Sequence, residues 1–334
     1  MKELVGKLSA LDPEAGDALK VVTYFDTLID GRVGVETLLR GAATLSGVPA
    51  GYRKGSTAFR VLADGRRAPA EDPDGYPTVT AGIDAIVWLE RSGLAHANDD
   101  MIRERLAVAI AQSAARGAEQ TPERRAIELL LTRTLDEEQR SSAEGHLRLD
   151  PTLRFRAVAF PSHTILKSRI PSTILATPWG LVRGAILDAD ASVTTAAGIG
   201  VSVMVSELQR SWRTALVALA LCNETTPTFS ADDLGTLVFL AGLSGDTLAT
   251  PADVSRVDDA MAHSWSFDAL QAIADGNSVR AVAARARLHH SSIHARLPEL
   301  GRVLGYDPTT PLGRTRLYAA LILYRVVHAR FGES

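Results

Sequence analysis

Helical periodicity is the only pattern at the C-terminal end of the chain, and it restricts what that end can fold into. From Trp265 to Phe331, apolar residues recur at three- and four-residue spacing, without strand-like alternation. Four helices are predicted there: Trp265 to Ala274, Val279 to Ala286, His289 to Leu304, and Leu312 to Phe331. We therefore predict an all-α C-terminal domain at residues 258–334.

The residues before this domain mix helical and strand-like patterns. The chain has 334 residues, which predicts two or three domains at roughly 150 residues each. A first α+β domain is predicted at residues 1–118, with helical sequence from Ala18 to Leu45 and a buried strand from Ile83 to Leu89. Two helices, opened by Thr121 and Asp136, then form a helical connector at residues 119–150.

A second α+β domain is predicted at residues 151–247. Leu153 to Phe160 alternates strictly, and Ala197 to Val205 reads as a further strand. Ser211 to Cys222 is an apolar helix, and Ser230 is expected to cap another helix. Leu248 to Val257 is taken as a linker. The predicted fold class is thus an α+β multidomain chain that ends in an all-α domain.

The charge is distributed unevenly along the chain. The net charge is −3, but the segment from Asn277 to Arg330 has nine arginines and only Glu299 and Asp307 against them, a net +7. The rest of the chain therefore carries −10. A basic end on an acidic body is typical of a chain whose end binds a polyanion. The alternative is a pair of basic helices that only face solvent.

Sequence signatures of catalysis are missing. The chain has no GxxxxGK[ST], HExxH, GxSxG or CxxC pattern. Gly198-Ile-Gly200 begins like a GxGxxG pattern, but Val203 replaces the third glycine, so a tight strand start is the preferred interpretation. We predict no catalytic residue, no cofactor and no enzymatic activity. An enzyme would need a polar pocket assembled from scattered residues of the middle domain.

The single cysteine points to a reducing compartment. Cys222 cannot form an internal disulfide, and no signal-peptide pattern is seen at the N-terminus, so we predict a cytoplasmic protein. The longest purely apolar run, Ala215 to Cys222, is far shorter than the roughly 18 residues that span a bilayer. We therefore expect no membrane partner and an unreactive Cys222 thiol in an apolar helix.

Two of the C-terminal helices match a helix-turn-helix. A short helix capped by Ser278 is followed by the turn Arg287-Leu288-His289 and a second helix. In the second helix, Ile293, Leu297, Leu300 and Leu304 form one apolar stripe. The N-terminal residues of the second helix of this motif enter the major groove of DNA.

The residues at this helix start are suited to contact double-stranded DNA. We predict that His290, Ser291 and His294 meet base edges, since all three can form hydrogen bonds there. Further contacts to bases or phosphates are expected from residues on the same helix, in the turn and on the following helix: Arg287, His289, Ser292, Arg296, Arg314 and Arg316.

Two other interpretations of this face remain open. His290 and His294 are four residues apart and could together bind a metal, although no acidic or cysteine ligand nearby completes a set, so we predict no metal site. The C-terminal helices could also form a packing module with a solvated polar face. In that case the protein would be a sensor or scaffold that acts through protein contacts and carries a vestigial helix-turn-helix.

Ser278 to Gly305 resembles the C-terminal helix-turn-helix of PucR/CdaR-type transcriptional regulators. In that family the second helix has a pattern close to H-R-N-T-L-x-Y-R-L, followed by a helix that ends in glycine. The residues that fit, with Ser for Thr and Ile for Leu, are His289, Ser292, Ile293, Arg296, Leu297 and Gly305. The residues that depart are His290, Ser291, Ala295 and Pro298, so the family's base preferences do not carry over.

The resemblance extends to the body of the chain with less specific motifs. Val22 to Asp26 and Trp88 to Arg91 resemble the GAF-like sensor domain of actinobacterial members, and Gly198 to Leu219 is similar to their degenerate nucleotide-cyclase-like domain. No GGDEF signature is present. The resemblance implies a homodimeric regulator with a small-molecule effector in the GAF-like domain.

An apolar effector pocket is predicted in the GAF-like domain. The strand residues available to line or underlie it are Phe59, Val61, Ile83, Ile86 and Trp88. The alternative is that these side chains only fill the core and bind no ligand.

Overall fold

The computed structural model describes residues 13–70, 72–94, 96–115, 121–166, 170–235, 237–238, 251–261 and 265–331. These residues fall into two units. The first unit has residues up to 192 together with 202–212 and 330–331, and the second has 193–201 and 213–329. The predicted α+β class is confirmed. The domain boundaries at 118, 150, 247 and 258 stay predictions.

The first unit contains a five-stranded antiparallel sheet. Its strands are β1 (Ala50–Lys54), β2 (Thr57–Val61), β3 (Arg67–Pro69), β4 (Thr78–Ala81) and β5 (Ala85–Leu89), in the order β3-β2-β1-β5-β4. The predicted turn at Asp64-Gly65 joins β2 to β3, where Gly65 has a φ of 84°. Alternation along β5 leaves Val87 and Leu89 in the apolar core of this unit.

Helices cover this sheet and complete its core. They are α1 (Pro13–Asp30), α2 (Val35–Ser46) and α3 (Asp99–Ala115), and α3 packs against α1, α2, β4 and β5. Two shorter helices follow, α4 (Pro122–Thr132) and α5 (Glu137–Leu147), as the sequence predicts. The Thr121 hydroxyl accepts the Arg124 amide, and the Asp136 carboxylate accepts the Gln139 amide, so each predicted cap is formed.

A second antiparallel group of strands also belongs to the first unit. It consists of β6 (Arg154–Pro161), β7 (Ser172–Thr177) and β8 (Gly180–Asp188), with β8 between the other two. Pro178 and Trp179 form the hairpin turn between β7 and β8, where Thr177 pairs with Gly180. A two-residue strand, β10 (Val203–Met204), pairs with β6. Helix α4 packs on β7 and β8.

The second unit begins with a short parallel strand pair and continues with helices. Its strands are β9 (Ala197–Ile199) and β11 (Thr228–Ser230), and it contains the part of α6 (Leu208–Leu221) from residue 213 onwards. A Cβ atom on Gly198 would lie 2.2 Å from the Ala215 carbonyl oxygen, so this glycine lets β9 lie directly on the backbone of α6. The C-terminal helices are α7 (Ala252–Ala260), α8 (Ser266–Ala274), α9 (Val279–Arg285), α10 (His290–Leu304) and α11 (Pro311–Val327).

Two predicted strands are wrong in their bounds. The strand predicted to start at Ile83 starts at Ala85, because Gly82, with a φ of 73°, turns the chain and leaves Ile83 95% exposed. The strand predicted from Ala197 to Val205 is two short strands, since the Val201 amide donates to the Thr214 hydroxyl at 3.0 Å instead of to a neighbouring strand.

The predicted linker contains a helix. Within Leu248 to Val257, the part from 252 onwards belongs to α7, and residues 248–250 lie outside the described residues. Pro251 precedes the helix, where its missing amide costs nothing. Val254, Val257 and Ala260 are buried on one side of the helix. Of the helix predicted after Ser230, the first residues form a 3₁₀ turn at Ala231–Leu234 and residues 237–238 are helical, whereas residues 236 and 239–250 lie outside the described part.

Candidate nucleic-acid interface

The turn between α9 and α10 is held by backbone geometry. Ser278 caps α9 by accepting the Ala281 amide, and the Leu288 amide donates to the Ala283 carbonyl at 2.8 Å. Between them Arg287 has a φ of 54°, in the left-handed region that favours glycine. The chain thus reverses over three residues into α10, as a helix-turn-helix requires.

An apolar core fixes the second helix of this pair. Ile293, Leu300 and Leu304 are buried, and Leu297 is half-buried against the same cluster, so the predicted stripe is confirmed. Helix α10 continues through the exposed Pro298 and ends at Gly305, which has a left-handed φ of 75°. The core side of α10 therefore determines which residues face outward.

The outward side of the α10 N-terminus presents three histidines and a serine. His289, His290, Ser291 and His294 are exposed, whereas Ser292 is half-buried. The His290 ring lies edge-to-face with the rings of His289, at 5.4 Å, and His294, at 5.8 Å. These histidines form no metal-binding group within the described part of the chain.

The His289 imidazole does not cap α10. Its Nδ1 lies 2.8 Å from the Ser291 hydroxyl oxygen, and it makes no capping hydrogen bond to a backbone amide of the first turn. The Ser292 amide donates to the His289 carbonyl at 3.0 Å, whereas the His290 and Ser291 amides keep their capacity to bind an anion such as a phosphate oxygen.

Arg296 is a packing residue in this structure. Its guanidinium lies over the Trp265 ring, 4.6 Å from the ring centroid, and its Nη1 is buried without a hydrogen-bond partner among the described residues. A guanidinium on an indole face is stabilised by the cation–π interaction. The structure thus places Arg296 against α8 rather than at the outer edge of α10.

Arg316 is engaged by an acidic residue that the charge pattern does not reveal. Its Nη2 and Nε lie 2.7 and 3.0 Å from the two carboxylate oxygens of Asp253, on α7, and its guanidinium stacks 4.2 Å from the Tyr306 ring centroid. The hydrogen bonds with Asp253 raise the pKa of Arg316 above its usual value. Asp253 therefore neutralises much of the charge of Arg316, a residue that we predict to contact DNA.

Five further arginines of the C-terminal helices fall into two groups. Arg285 pairs with Asp275 at 3.0 Å, and Arg302 pairs with Glu299 at 3.7 Å. Arg280, Arg287 and Arg314 form no ion pair among the described residues. Arg280 is absent from the predicted contact residues, although it is exposed in the first turn of α9; its position after the Ser278 cap is the signal that identifies it.

Cys222 has the environment of an unreactive thiol. Its Sγ lies 3.4 Å from the carbonyl oxygens of Ala197 and Ala218. Burial raises the pKa of the thiol to about 11. At neutral pH the group is thus protonated and is a poor nucleophile.

The predicted apolar effector pocket is not formed by the predicted strand residues. Val61 and Trp88 are fully buried in the core, and Ile83 points into solvent. The first unit instead has a cleft of about 920 Å³, in which Phe59 is the only one of the five predicted residues among the described lining, and charged side chains are frequent. Charged residues from α2 and α4 replace the expected apolar wall.

A capped short helix, a left-handed turn and a second helix with an exposed polar start define a helix-turn-helix protein. Residues 268–323 match the family model described as the PucR C-terminal helix-turn-helix domain. The C-terminal part of the chain therefore carries a helix-turn-helix domain of the PucR type.

Similarity to solved structures and to curated proteins is low. A crystal structure described as a regulator of polyketide synthase expression from Bifidobacterium adolescentis matches with 19% sequence identity, over 62% of this chain and 98% of that chain, at a TM-score of 0.28. No curated protein matches the chain. Within the described residues, none of the helices combines the length and the apolar character needed to cross a membrane.

Proposed function

We propose that the protein binds double-stranded DNA through the start of α10 and regulates transcription from that site. The observation that carries the proposal is the exposed row of His290, Ser291 and His294 on a helix whose opposite side is fixed in a core. A helix fits the major groove, where base edges present hydrogen-bond donors and acceptors. Imidazole and hydroxyl groups can bind both kinds of edge.

Phosphate contacts in this proposal come from the arginines that lack an ion-pair partner in the described part of the chain. Arg287 lies in the turn directly before α10, and Arg314 lies in the first turns of α11. Arg280 extends the same set from α9. Arg296 and Arg316 serve mainly to hold the module together, through Trp265 and Asp253. Ser292 and His289 support the helix start.

Dimerisation and sensory control complete the proposal. One helix-turn-helix contacts few bases, so a homodimer that binds two half-sites about 34 Å apart gains the specificity that an operator needs. The N-terminal α+β region, which resembles a GAF-like domain, and the cyclase-like segment would supply effector binding and the dimer contact in the cytoplasm. Light scattering of the full chain tests for the dimer. A predominantly monomeric chain at micromolar concentration would contradict this part of the proposal.

The experiment that tests DNA binding is a fluorescence-anisotropy titration of the full chain. The probe is a duplex selected from a random pool by the protein itself, with a scrambled duplex for comparison. We expect His290→Ala and Ser291→Ala each to cost about 1–3 kcal/mol on the selected duplex and little on the scrambled one. Arg287→Gln and Arg314→Gln should weaken both and lower the salt slope by about one unit each.

Arg302→Gln is the matched control for these variants. Arg302 is exposed on the same helix but lies at its C-terminal end, and it is paired with Glu299. It should leave both affinities unchanged. If folded His290→Ala and Arg314→Gln bind as the parent chain does, this face does not read DNA. Failure of the parent chain to bind any duplex at low salt would favour the scaffold that acts through protein contacts.

A further inference from the structure

The cleft in the first unit is built from two different parts of that unit. On one side lie the start of α2 and strands β2 and β3; on the other lie α4 and α5. Its volume is about 920 Å³, within the range of small-molecule sites. The lining residues that matter here are Glu36, Phe59, Arg67, Arg125, Arg133 and His146.

Glu36, a carboxylate in the wall of the cleft, is already neutralised. Its Oε1 accepts Arg40 Nη2 at 3.0 Å, and its Oε2 lies 3.1 Å from Arg67 Nη1 and 3.8 Å from Arg133 Nη1. The Arg40 side chain is only 6% exposed, so solvent screens its ion pair with Glu36 little. Glu36 is therefore surrounded by three guanidinium groups.

Glu128, the other carboxylate, is neutralised in the same way. It is 8% exposed, accepts the Thr37 hydroxyl at 2.5 Å, and lies 3.7 Å from Arg40 Nη1. Four arginines, with Arg125 included, thus stand against two carboxylates in and behind the cleft wall. The net charge of these four arginines and two carboxylates is +2, and the buried acids cannot move out to offset it.

Two of these arginines have free capacity for a ligand. Arg125 is exposed and has no ion-pair partner within the described residues, and the ion-pair partner that Arg133 has there, Glu36, is at 3.8 Å. Arg125 lies on α4, and Arg133 is the residue that directly follows this helix. The start of α2 adds a positive helix end, because its N-cap residue, Gly34, has no side chain to cap it. The cleft therefore attracts negative charge from two sides.

The floor of the cleft is apolar. Phe59 lies there with the Arg67 guanidinium stacked 3.9 Å from its ring centroid, and Leu129 and Ala143 line the opposite side. An inorganic anion would make no apolar contact with these side chains. A carboxylate on an apolar or aromatic body would use both the arginines and the floor.

We propose that this cleft binds an organic anion, a carboxylate on an apolar body, between α4 and the β2–β3 edge. Only the description of this ligand as an effector rests on the proposed function, since binding itself does not depend on DNA. The ligand would connect the helical connector to the sheet of the same unit, because Arg125 lies on α4, Arg133 directly follows it, and Phe59 of the apolar floor belongs to β2.

Calorimetric titration of the full chain tests the proposal with a small panel of probes. Benzoate, phenylacetate and octanoate are offered at millimolar concentration, with benzamide as the uncharged counterpart of benzoate and inorganic phosphate as the anion without a body. We expect at least one carboxylate to bind, and benzamide and phosphate to bind at least about tenfold more weakly than it, the loss expected for one charged hydrogen-bond pair. If no carboxylate binds, the proposal is overturned.

The position of the ligand is tested with Arg125→Gln and Arg133→Gln. Each should weaken carboxylate binding by about tenfold, and together they should abolish it, while glutamine preserves the helix propensity of α4. Arg213→Gln, an exposed arginine on α6, is the control and should bind as the parent chain does. Undiminished binding in the double variant would place the ligand elsewhere.

Anisotropy with the selected duplex, measured on the same samples, separates this inference from the proposed function. A chain that binds DNA but none of the carboxylates refutes only the ligand site. A chain that binds a carboxylate through Arg125 and Arg133 but no duplex supports the ligand site and refutes the DNA-binding proposal.

Discussion

Two arginines, Arg40 in the N-terminal region and Arg287 in the C-terminal helices, are used in opposite ways. Around the cleft, Arg40 is buried and is shared between Glu36 and Glu128. In the helix-turn-helix, Arg287 is exposed, has no ion-pair partner among the described residues, and is held in a left-handed conformation. Arg40 therefore stabilises the fold around it, whereas Arg287 is available to a ligand. The difference depends on acids that are distant in sequence, which a tally along the chain does not show.

The largest effect should come from removing the buried arginine. Arg40→Ala leaves the carboxylates of Glu36 and Glu128 in a buried site with one partner fewer, and should lower the free energy of unfolding by about 3–5 kcal/mol. Urea unfolding measures this loss. Arg53→Ala is the control, because Arg53 is more exposed and lies 3.7 Å from an exposed Asp72; it should change stability little. Equal effects of the two variants would show that the buried ion pairs of Arg40 stabilise the fold no more than an exposed pair does.

A second inward pair, Arg91 with Asp99, should make the N-terminal region sensitive to acid. Burial acts to raise the pKa of Asp99, but hydrogen bonds from Arg91, at 2.6 and 2.8 Å, and from the His96 amide outweigh it, so the pKa lies below its ordinary value. Asp99 therefore stabilises the folded state at neutral pH, and this stabilisation is lost as the pH falls below about 4.

The matching variant is Arg91→Gln, which should lower stability at pH 7 by less than Arg40→Ala does, because Asp99 keeps its backbone partner. Its unfolding free energy should fall less steeply than that of the parent chain between about pH 5 and pH 2. Urea unfolding across this range measures both slopes, and parallel slopes would show that the pair does not titrate as described.

A smaller effect, of opposite sign, is expected at Arg287. Arg287→Gly relieves a left-handed backbone and should raise stability by about 0.5–1 kcal/mol, while it weakens DNA binding because the phosphate contact is lost. Arg148→Gly is the matched control, since Arg148 ends α5 with a φ of 55°. It should raise stability similarly and leave DNA affinity unchanged. If the Arg287→Gly variant binds DNA as the parent chain does, Arg287 does not contact phosphate.

The smallest effect on the salt dependence of DNA binding is expected at Arg316. Because Asp253 neutralises it, Arg316→Ala should change the salt slope less than Arg314→Ala does, which should lower it by about one unit. Anisotropy titrations at several salt concentrations compare the two. A full unit lost in Arg316→Ala would show that the Asp253 pair opens on DNA.

Local patterns predicted most of the elements but not the pairing of charges. Caps at Thr121, Asp136 and Ser278 each act within three residues, so the sequence shows them directly. The helix-turn-helix was predictable for the same reason, through its apolar stripe and short turn. By contrast, Asp253 and Arg316 are 63 residues apart, and Thr37 and Glu128 are 91 apart. Such contacts depend on tertiary packing, which no local pattern contains.

The protonated state of Cys222 has a practical consequence for measuring these contacts. A thiol with a pKa raised to about 11 reacts slowly with maleimides at neutral pH. A cysteine introduced at the exposed Ala295, on the outer side of α10, would therefore react with a maleimide fluorophore much faster than Cys222 does. The natural chain thus permits selective labelling of its own helix-turn-helix without first removing a cysteine.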